Sequence, residues 1–193
     1  MASKAGSAAA VRRPATKDDL FDLARRMFLA GERLSVEDLA QELGLSRATA
    51  YRWAGNADEL TGKVIAGLAA AVFYRTSRDA KGKGAARVVD AMSRGMRLIA
   101  SGRGYRDYLG RDPERALRIV ASKDGPVQGQ TIALVQGLLE EEASAGRLKL
   151  PVDPHTMAYA LVRIVESFLY ADAIAGEALD LDKAEEIIKL MLR

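Results

Sequence analysis

Two groups of residues in this chain have types and spacing that could do chemistry. The first is Arg47-Ala48-Thr49-Ala50-Tyr51-Arg52-Trp53, with Ser46 just before it. On a helix, Ala50 and Trp53 can face inward together, which spreads Arg47, Ala48, Thr49, Tyr51 and Arg52 over the outer side. Those types suit a DNA duplex. Arg47, near the helix start, reaches a guanine edge or a phosphate, Ala48 and Thr49 touch a thymine methyl, and Tyr51 and Arg52 hydrogen-bond backbone phosphate. The second group is Tyr159, Arg163, Glu166, Ser167 and Tyr170, which recur every three or four residues and so share one side of a helix. Ala160, Leu161, Ile164, Val165, Phe168 and Leu169 cover the rest of that helix. A helix apolar on most sides is buried, so its polar stripe needs partners, and Arg163 and Glu166 are spaced to pair with each other.

Each group has a plain reading beside the chemical one. A short helix, a Gly turn and a second short helix make a hairpin that needs no nucleic acid. Trp53 either packs beside the core or gives its indole N–H to a phosphate. Arg163 with Glu166 is either a buried ion pair that sets helix register or part of a pocket wall. In the pocket reading the stripe meets Met92, Met96, Tyr105 and Tyr108, where methionine gives adaptable walls and Tyr or Arg an oriented hydrogen bond to a carbonyl; Met92 and Met96 also fit plain core.

The elements that must position these residues are marked by caps. Thr16 with Asp19 opens a helix that runs to Gly31 with Leu20, Leu23, Ala24, Met27 and Phe28 on its apolar face. Ser35 with Asp38 opens the next, Gly44 ends it, and Ser46 caps the segment carrying Arg47. Ser35 and Ser46 are counted with Arg47, Ala48, Thr49, Tyr51, Arg52 and Trp53 as the DNA-facing set. Asn56 with Glu59 opens a long helix to about Thr76, and a Gly/Lys break follows at 81–84. Helices are then expected over 85–101, 105–109, 113–122, 126–145, 154–175 and 181–192, with Asp112-Pro113 and Asp153-Pro154 as cap and first helical residue. No segment alternates as a strand does, so the chain is expected to be all-α.

Composition excludes several classes. There is no cysteine and one histidine, His155, so disulfides, thiolate metal sites and a histidine-built metal centre are out. That fits a reducing cytoplasm, where the protein is expected to stay; no apolar run reaches the length of a membrane span, and the polar start is unlike a secretory signal. Net charge is only +3, yet it is uneven: residues 1–17 carry +4, 18–63 carry −3, 75–118 carry +7 and 119–193 carry −5. Residues 1–15 read as a flexible basic tail, either a solvated end or an arm that reaches phosphate. Arg87, Arg94, Arg97 and Arg103 read as a solvated face, as do Glu140 to Glu142. No nucleophile stands beside a base and no Gly loop has a phosphate-binding context, so neither an enzyme nor a bound cofactor is expected.

The segment from Thr16 to about Leu60 resembles the N-terminal domain of TetR-family transcriptional regulators. The usual run there is Thr-Leu-Tyr-(Arg or Tyr)-His-Phe, two linker residues, then Lys-Glu-Glu-Leu. Here Thr49 to Ala54, Gly55-Asn56 and Ala57 to Leu60 match it in length, with Thr49, Tyr51, Arg52 and Leu60 agreeing. Trp53 stands where His is common, Ala54 replaces a packed Phe, and Ala57 replaces a phosphate-contacting Lys. The resemblance implies Thr49 and Tyr51 at the DNA and Leu60 in the core. Further along, Tyr105 to Leu109 with Asp112 to Arg118, Glu140 to Leu148 and Arg163 to Asp172 resemble the C-terminal domain of QsdR-type members, which implies a lactone or similar acyl compound as effector.

The resulting expectation is a flexible tail over 1–15, a three-helix helix-turn-helix domain over 16–62, and a larger helical effector-binding and dimerisation domain over 63–193. Its partners would be a double-stranded, palindromic operator, a small apolar effector and a second copy joined through helices 154–175 and 181–192, most often in a repressor. A small-molecule-binding helical bundle without operator function is the first alternative, and an enzyme using Arg163 and Glu166 on a lactone or ester the second.

Overall fold

A computed structural model describes residues 13–122 and 125–193; most of the expected basic tail, including Lys4 and Arg12, lies outside the described residues. Eleven helices and no strand occur among them: α1 Lys17–Leu29, α2 Val36–Leu43, α3 Arg47–Ala54, α4 Ala57–Arg78, α5 Ala85–Ser101, α6 Arg103–Arg111, α7 Pro113–Ala121, α8 Pro126–Ser144, α9 Pro154–Leu169, α10 Ala171–Ala175 and α11 Leu181–Met191. The caps act as their residue types dictate. Thr16 and Asp19 form the full reciprocal box, Ser35 accepts from the Asp38 N–H, Ser46 from that of Thr49, and Asn56 from those of Asp58 and Glu59. Gly44 ends α2 at φ +67°, a left-handed turn that glycine adopts without Cβ strain. Asp112 and Asp153 cap α7 and α9, each followed by proline at the first helical position.

Three expectations are corrected. The short helix expected over 105–109 extends to Arg103–Arg111. The single helix expected over 154–175 ends at Leu169: Tyr170, at φ −105° and ψ 8°, caps α9 and starts the short α10, which Gly176 closes. Burying the Tyr170 ring decides against a continuous helix there. Of the Arg and Glu faces expected to be solvated, Arg94, Arg97, Arg103, Glu140 and Glu141 are exposed, while Arg87 is half-buried and Glu142 is not solvated at all. Glu142 is fully buried, held by Arg147 at 2.7 and 2.9 Å, by Arg87 at 2.5 Å and by the Gly84 N–H at 2.7 Å. Arg97 bridges from α5 to Asp182 and Glu185 on α11.

The packing has one axis. Helix α4, 22 residues long, packs its first turns on α1 and α3 and the remainder on α5 and α8, so it runs across the boundary expected at 62/63. Helices α8 and α9 lie side by side, and α11 lies on α5 and α9. One core cluster joins Leu20, Leu39, Ala50, Ala54 and Leu60 with Met96, Leu109 and Leu169; the other joins Val88, Leu139, Leu161 and Ile188. No described helix is long and apolar enough to cross a membrane.

Candidate functional site

Helix α3 turns Ala50 and Ala54 fully inward and packs Trp53, half-buried, against the same core. The alanine that stands where a packed Phe was expected is thus still the inward residue, and the adjacent Trp53 supplies the aromatic volume. Arg47, Ala48, Tyr51 and Arg52 are exposed and Thr49 half-buried, so the outward set expected from spacing does share one surface. Ser46 Oγ also lies 2.9 Å from Thr49 Oγ1. Tyr51 donates its hydroxyl to Glu37 on α2, which holds the Glu37 carboxyl below the usual range and raises the Tyr51 phenol. Arg13 forms a two-pronged pair with Asp19 at 2.9 and 2.7 Å, so that part of the tail is tied to the start of α1.

The second feature is a cavity of about 370 Å³, within the range of small-molecule sites. Its wall is mostly apolar: Ile65, Leu68 and Val72 from α4, Met92, Met96 and Ile99 from α5, Val127 and Val135 from α8, and Val162, Val165 and Leu169 from α9. Phe28 and Leu29, at the end of α1, and Gly102, Gly104 and Tyr105, at the start of α6, complete it. Of the expected pocket residues, the structure brings Met92, Met96, Tyr105, Glu166 and Tyr170 onto this wall.

Three others stand elsewhere. Ser167 is exposed and returns its hydroxyl to the Ile164 carbonyl, and Arg163 is exposed behind Glu166, which it holds at 2.7 Å. Arg163 and Ser167 lie on the outer face of α9, while Glu166 and Tyr170 turn inward. Tyr108 packs on Phe28 with ring centroids 5.5 Å apart, and its hydroxyl is sealed with no partner. Burial pushes that phenol up to about 12.

Inside the cavity, the Tyr105 and Tyr170 rings lie with centroids 6.4 Å apart. Burial is the main cause that raises both phenols; Tyr170 and then the Glu166 charge add to it at Tyr105, and the Glu166 charge adds to it at Tyr170. Burial likewise raises the Glu166 carboxyl, against the pull of Arg163 and of the Gln128 amide at 3.3 Å.

A family model described as the tetracyclin repressor-like C-terminal domain matches residues 83–193. The structure superimposes on that of the transcriptional repressor QsdR of the TetR family from R. erythropolis with a TM-score of 0.84; the two are 31% identical over 91% of this chain and 93% of that one. The chain belongs to the TetR family of transcriptional regulators. This TetR-family chain shares its fold more distantly with the repressor AlkX of Dietzia sp. strain DQ12-45-1b, implicated in biodegradation of n-alkanes (TM-score 0.66, 19% identity, 94% and 95% of the two chains). The regulator FadR of Bacillus subtilis, solved in complex with stearoyl-CoA, is another fold relative (TM-score 0.55, 12% identity, 90% and 95%). No curated protein matches the chain.

Sequence reasoning about this TetR-family regulator missed Phe28, Leu29, Leu68 and Val72 as cavity residues. Apolar side chains at helical spacing look the same whether they meet another helix or an open volume. The signal available was Gly102 and Gly104, two small residues that let α6 begin against α1.

Proposed function

We propose that the chain is a homodimeric repressor that reads a near-palindromic operator with α3 and is released by a small apolar effector, a lactone or related acyl compound, entering the cavity. The observation that carries this reading is the cavity wall itself: Phe28 and Leu29 belong to α1, which buries the inner face of the DNA-reading head, while the rest of the wall belongs to α4 through α9. A molecule filling the cavity therefore touches the head directly and favours whichever head position accommodates it. In a two-fold dimer the heads would occupy successive major grooves about 34–36 Å apart, and a small shift of each would cost the fit.

Arg47 carries the sequence-reading prediction. Arg47→Ala is expected to weaken specific operator binding by about 1–3 kcal/mol while changing nonspecific binding much less, measured by fluorescence anisotropy at fixed salt with operator and scrambled duplexes. Unchanged operator affinity would remove α3 as the recognition helix. Effector release is tested on the same duplex: operator binding should fall on adding a ligand that fills the cavity.

The expectation drawn from apolar stripes put the interface on helices 154–175 and 181–192. Helix α11 packs Ala184, Ile188 and Leu192 inward and leaves Leu190 exposed. The outer faces of α8 and α9 are the better surface: Gly129, Ala133 and Gly137 line one side of α8 with open space above both glycines, beside exposed Tyr159 and Arg163 on α9. Small residues let two helix pairs approach closely about a two-fold axis. Ala133→Arg on this face should convert the dimer to monomer in light scattering; a dimer that persists would place the interface elsewhere.

A further inference from the structure

The cavity's polar atoms are not evenly divided between donors and acceptors. Thr76 and Thr131, on α4 and α8, give their hydroxyl protons to the Phe73 and Val127 carbonyls, and Ser101 gives its own to Leu98. In each case the oxygen keeps acceptor capacity and the proton is spent. Glu166 is 8% exposed, and Arg163 and Gln128 both bond its Oε2. Its Oε1 receives no bond from the described residues, and unlike the Ser93 and Tyr108 hydroxyls it is not sealed from solvent-sized space. The donors left for a ligand are the phenol O–H groups of Tyr105 and Tyr170, which share the cavity wall with Glu166.

Positive charge is missing from the same interior. Among the described residues, Arg103 is the one basic residue on the wall; its side chain is 79% exposed and it is paired with Asp107. An anionic ligand would bring its charge against Glu166, whose one cation, Arg163, stands exposed on the far side of that carboxylate, in a volume where charges are weakly screened. A neutral ligand with a carbonyl alone would engage Tyr170 and leave Oε1 of Glu166 desolvated without a donor, a costly arrangement.

Building on the reading of this cavity as the effector site, we propose that it selects a neutral, apolar molecule whose polar end carries an N–H or O–H beside a carbonyl. Tyr170 donates to the carbonyl and Glu166 accepts from the N–H or O–H. Secondary and primary amides of acyl chains, hydroxy-acyl compounds and lactones that carry an amide or hydroxyl group meet the requirement; free fatty carboxylates fail on charge, and simple esters fail for want of a donor.

Three probes with the same acyl chain separate these cases: octanamide, methyl octanoate and octanoate, each competing with the fluorescent apolar dye N-phenyl-1-naphthylamine bound to the whole chain. Octanamide is expected to displace the dye at about tenfold lower concentration than either of the others. Glu166→Gln, which keeps the side-chain volume and removes the charge, is expected to strengthen octanoate binding by about fivefold and to shrink the octanamide advantage over octanoate to about threefold or less. Octanoate displacing the dye as readily as octanamide, or an order of preference that Glu166→Gln leaves unaltered, overturns the proposal while leaving the cavity as an apolar binding site. A folded protein, verified by circular dichroism, that neither enhances dye fluorescence nor loses it to any probe overturns the effector-site reading and the proposal together.

Discussion

Glu142→Ala is expected to cost about 3 kcal/mol of folding stability, because it removes the shared partner of two guanidinium groups from a position with no solvent access. Glu142 accepts from Arg147, Arg87 and the Gly84 N–H, and so ties the end of α8 to the turn that starts α5. Without it, Arg147 loses its carboxylate, Arg87, whose side chain is only 21% exposed, keeps Glu141 alone, and the Gly84 N–H loses its acceptor. For a chain of this size the loss corresponds to a fall of about 6–12 °C in thermal midpoint. The bonds from Arg147 first, opposed by burial and reinforced by Arg87 and Gly84, hold the Glu142 carboxyl down at about 2 against an ordinary 4.5. A depressed carboxylate contributes stability that is fully present above its unfolded value and disappears as pH falls through its folded one. The stability gap between the unaltered protein and Glu142→Gln should therefore be constant above about pH 5 and narrow steadily toward pH 2 in denaturant titrations. A gap that does not change with pH would mean the carboxylate charge contributes nothing, and a Glu142→Ala midpoint within 2 °C of the parent would mean the same of the whole cluster.

This cluster was invisible in the sequence for a physical reason. Glu140, Glu141 and Glu142 are chemically identical in a row, and only the packing of the turn at 84 and of Arg147 against α8 decides which one is buried. The caps were legible because their chemistry is local: Thr16, Ser35, Ser46, Asn56, Asp112 and Asp153 each bond an N–H two or three residues on. The head was legible for a related reason, since a helix as short as α3 leaves few ways to arrange its residues, and Ala50 with Ala54 makes one of its faces inert. The cavity was partly legible. Tyr105 and Tyr170 drew notice as polar groups among apolar ones, yet their ring contact spans 65 residues of chain. Arg163 and Ser167 lie on the outer face of α9 with Tyr159 while Glu166 and Tyr170 turn inward, a split that spacing alone does not give, because all five fall on one broad side of the helix.

Gly104→Ala is expected to do the greatest damage to signalling. Helix α6 meets the end of α1 at this residue, and a Cβ there would overlap the Phe28 carbonyl oxygen and stand 2.9 Å from Leu29 Cα and 3.0 Å from the Phe28 carbonyl carbon. All three are backbone atoms, so no side chain can swing aside and the two helices must separate. Gly110 sits on the same helix with nothing within 4 Å of an added Cβ. Alanine at 110 should stabilise by about 0.5–1 kcal/mol through helix propensity, whereas alanine at 104 should cost about 1–3 kcal/mol through overpacking, so one chemical change on one helix takes opposite signs. The functional consequence follows from what else meets there. Phe28, Leu29, Gly104 and Tyr105 are cavity wall, Arg111 on α6 donates to the Gly31 carbonyl just past α1, and Arg115 on α7 pairs with Asp58 at the start of α4 at 2.6 Å. Separating α6 from α1 opens the direct contact between ligand and head and leaves the outer ion pair in place. An effector that weakens operator binding by about 5–150-fold, the ordinary span of such coupling, should therefore change it by about twofold or less in Gly104→Ala, and by the full factor in Gly110→Ala. Anisotropy titrations of operator DNA with and without the effector measure both. A Gly104→Ala protein that folds and still releases its operator by the full factor would move the coupling from the α1–α6 contact to the path along α4.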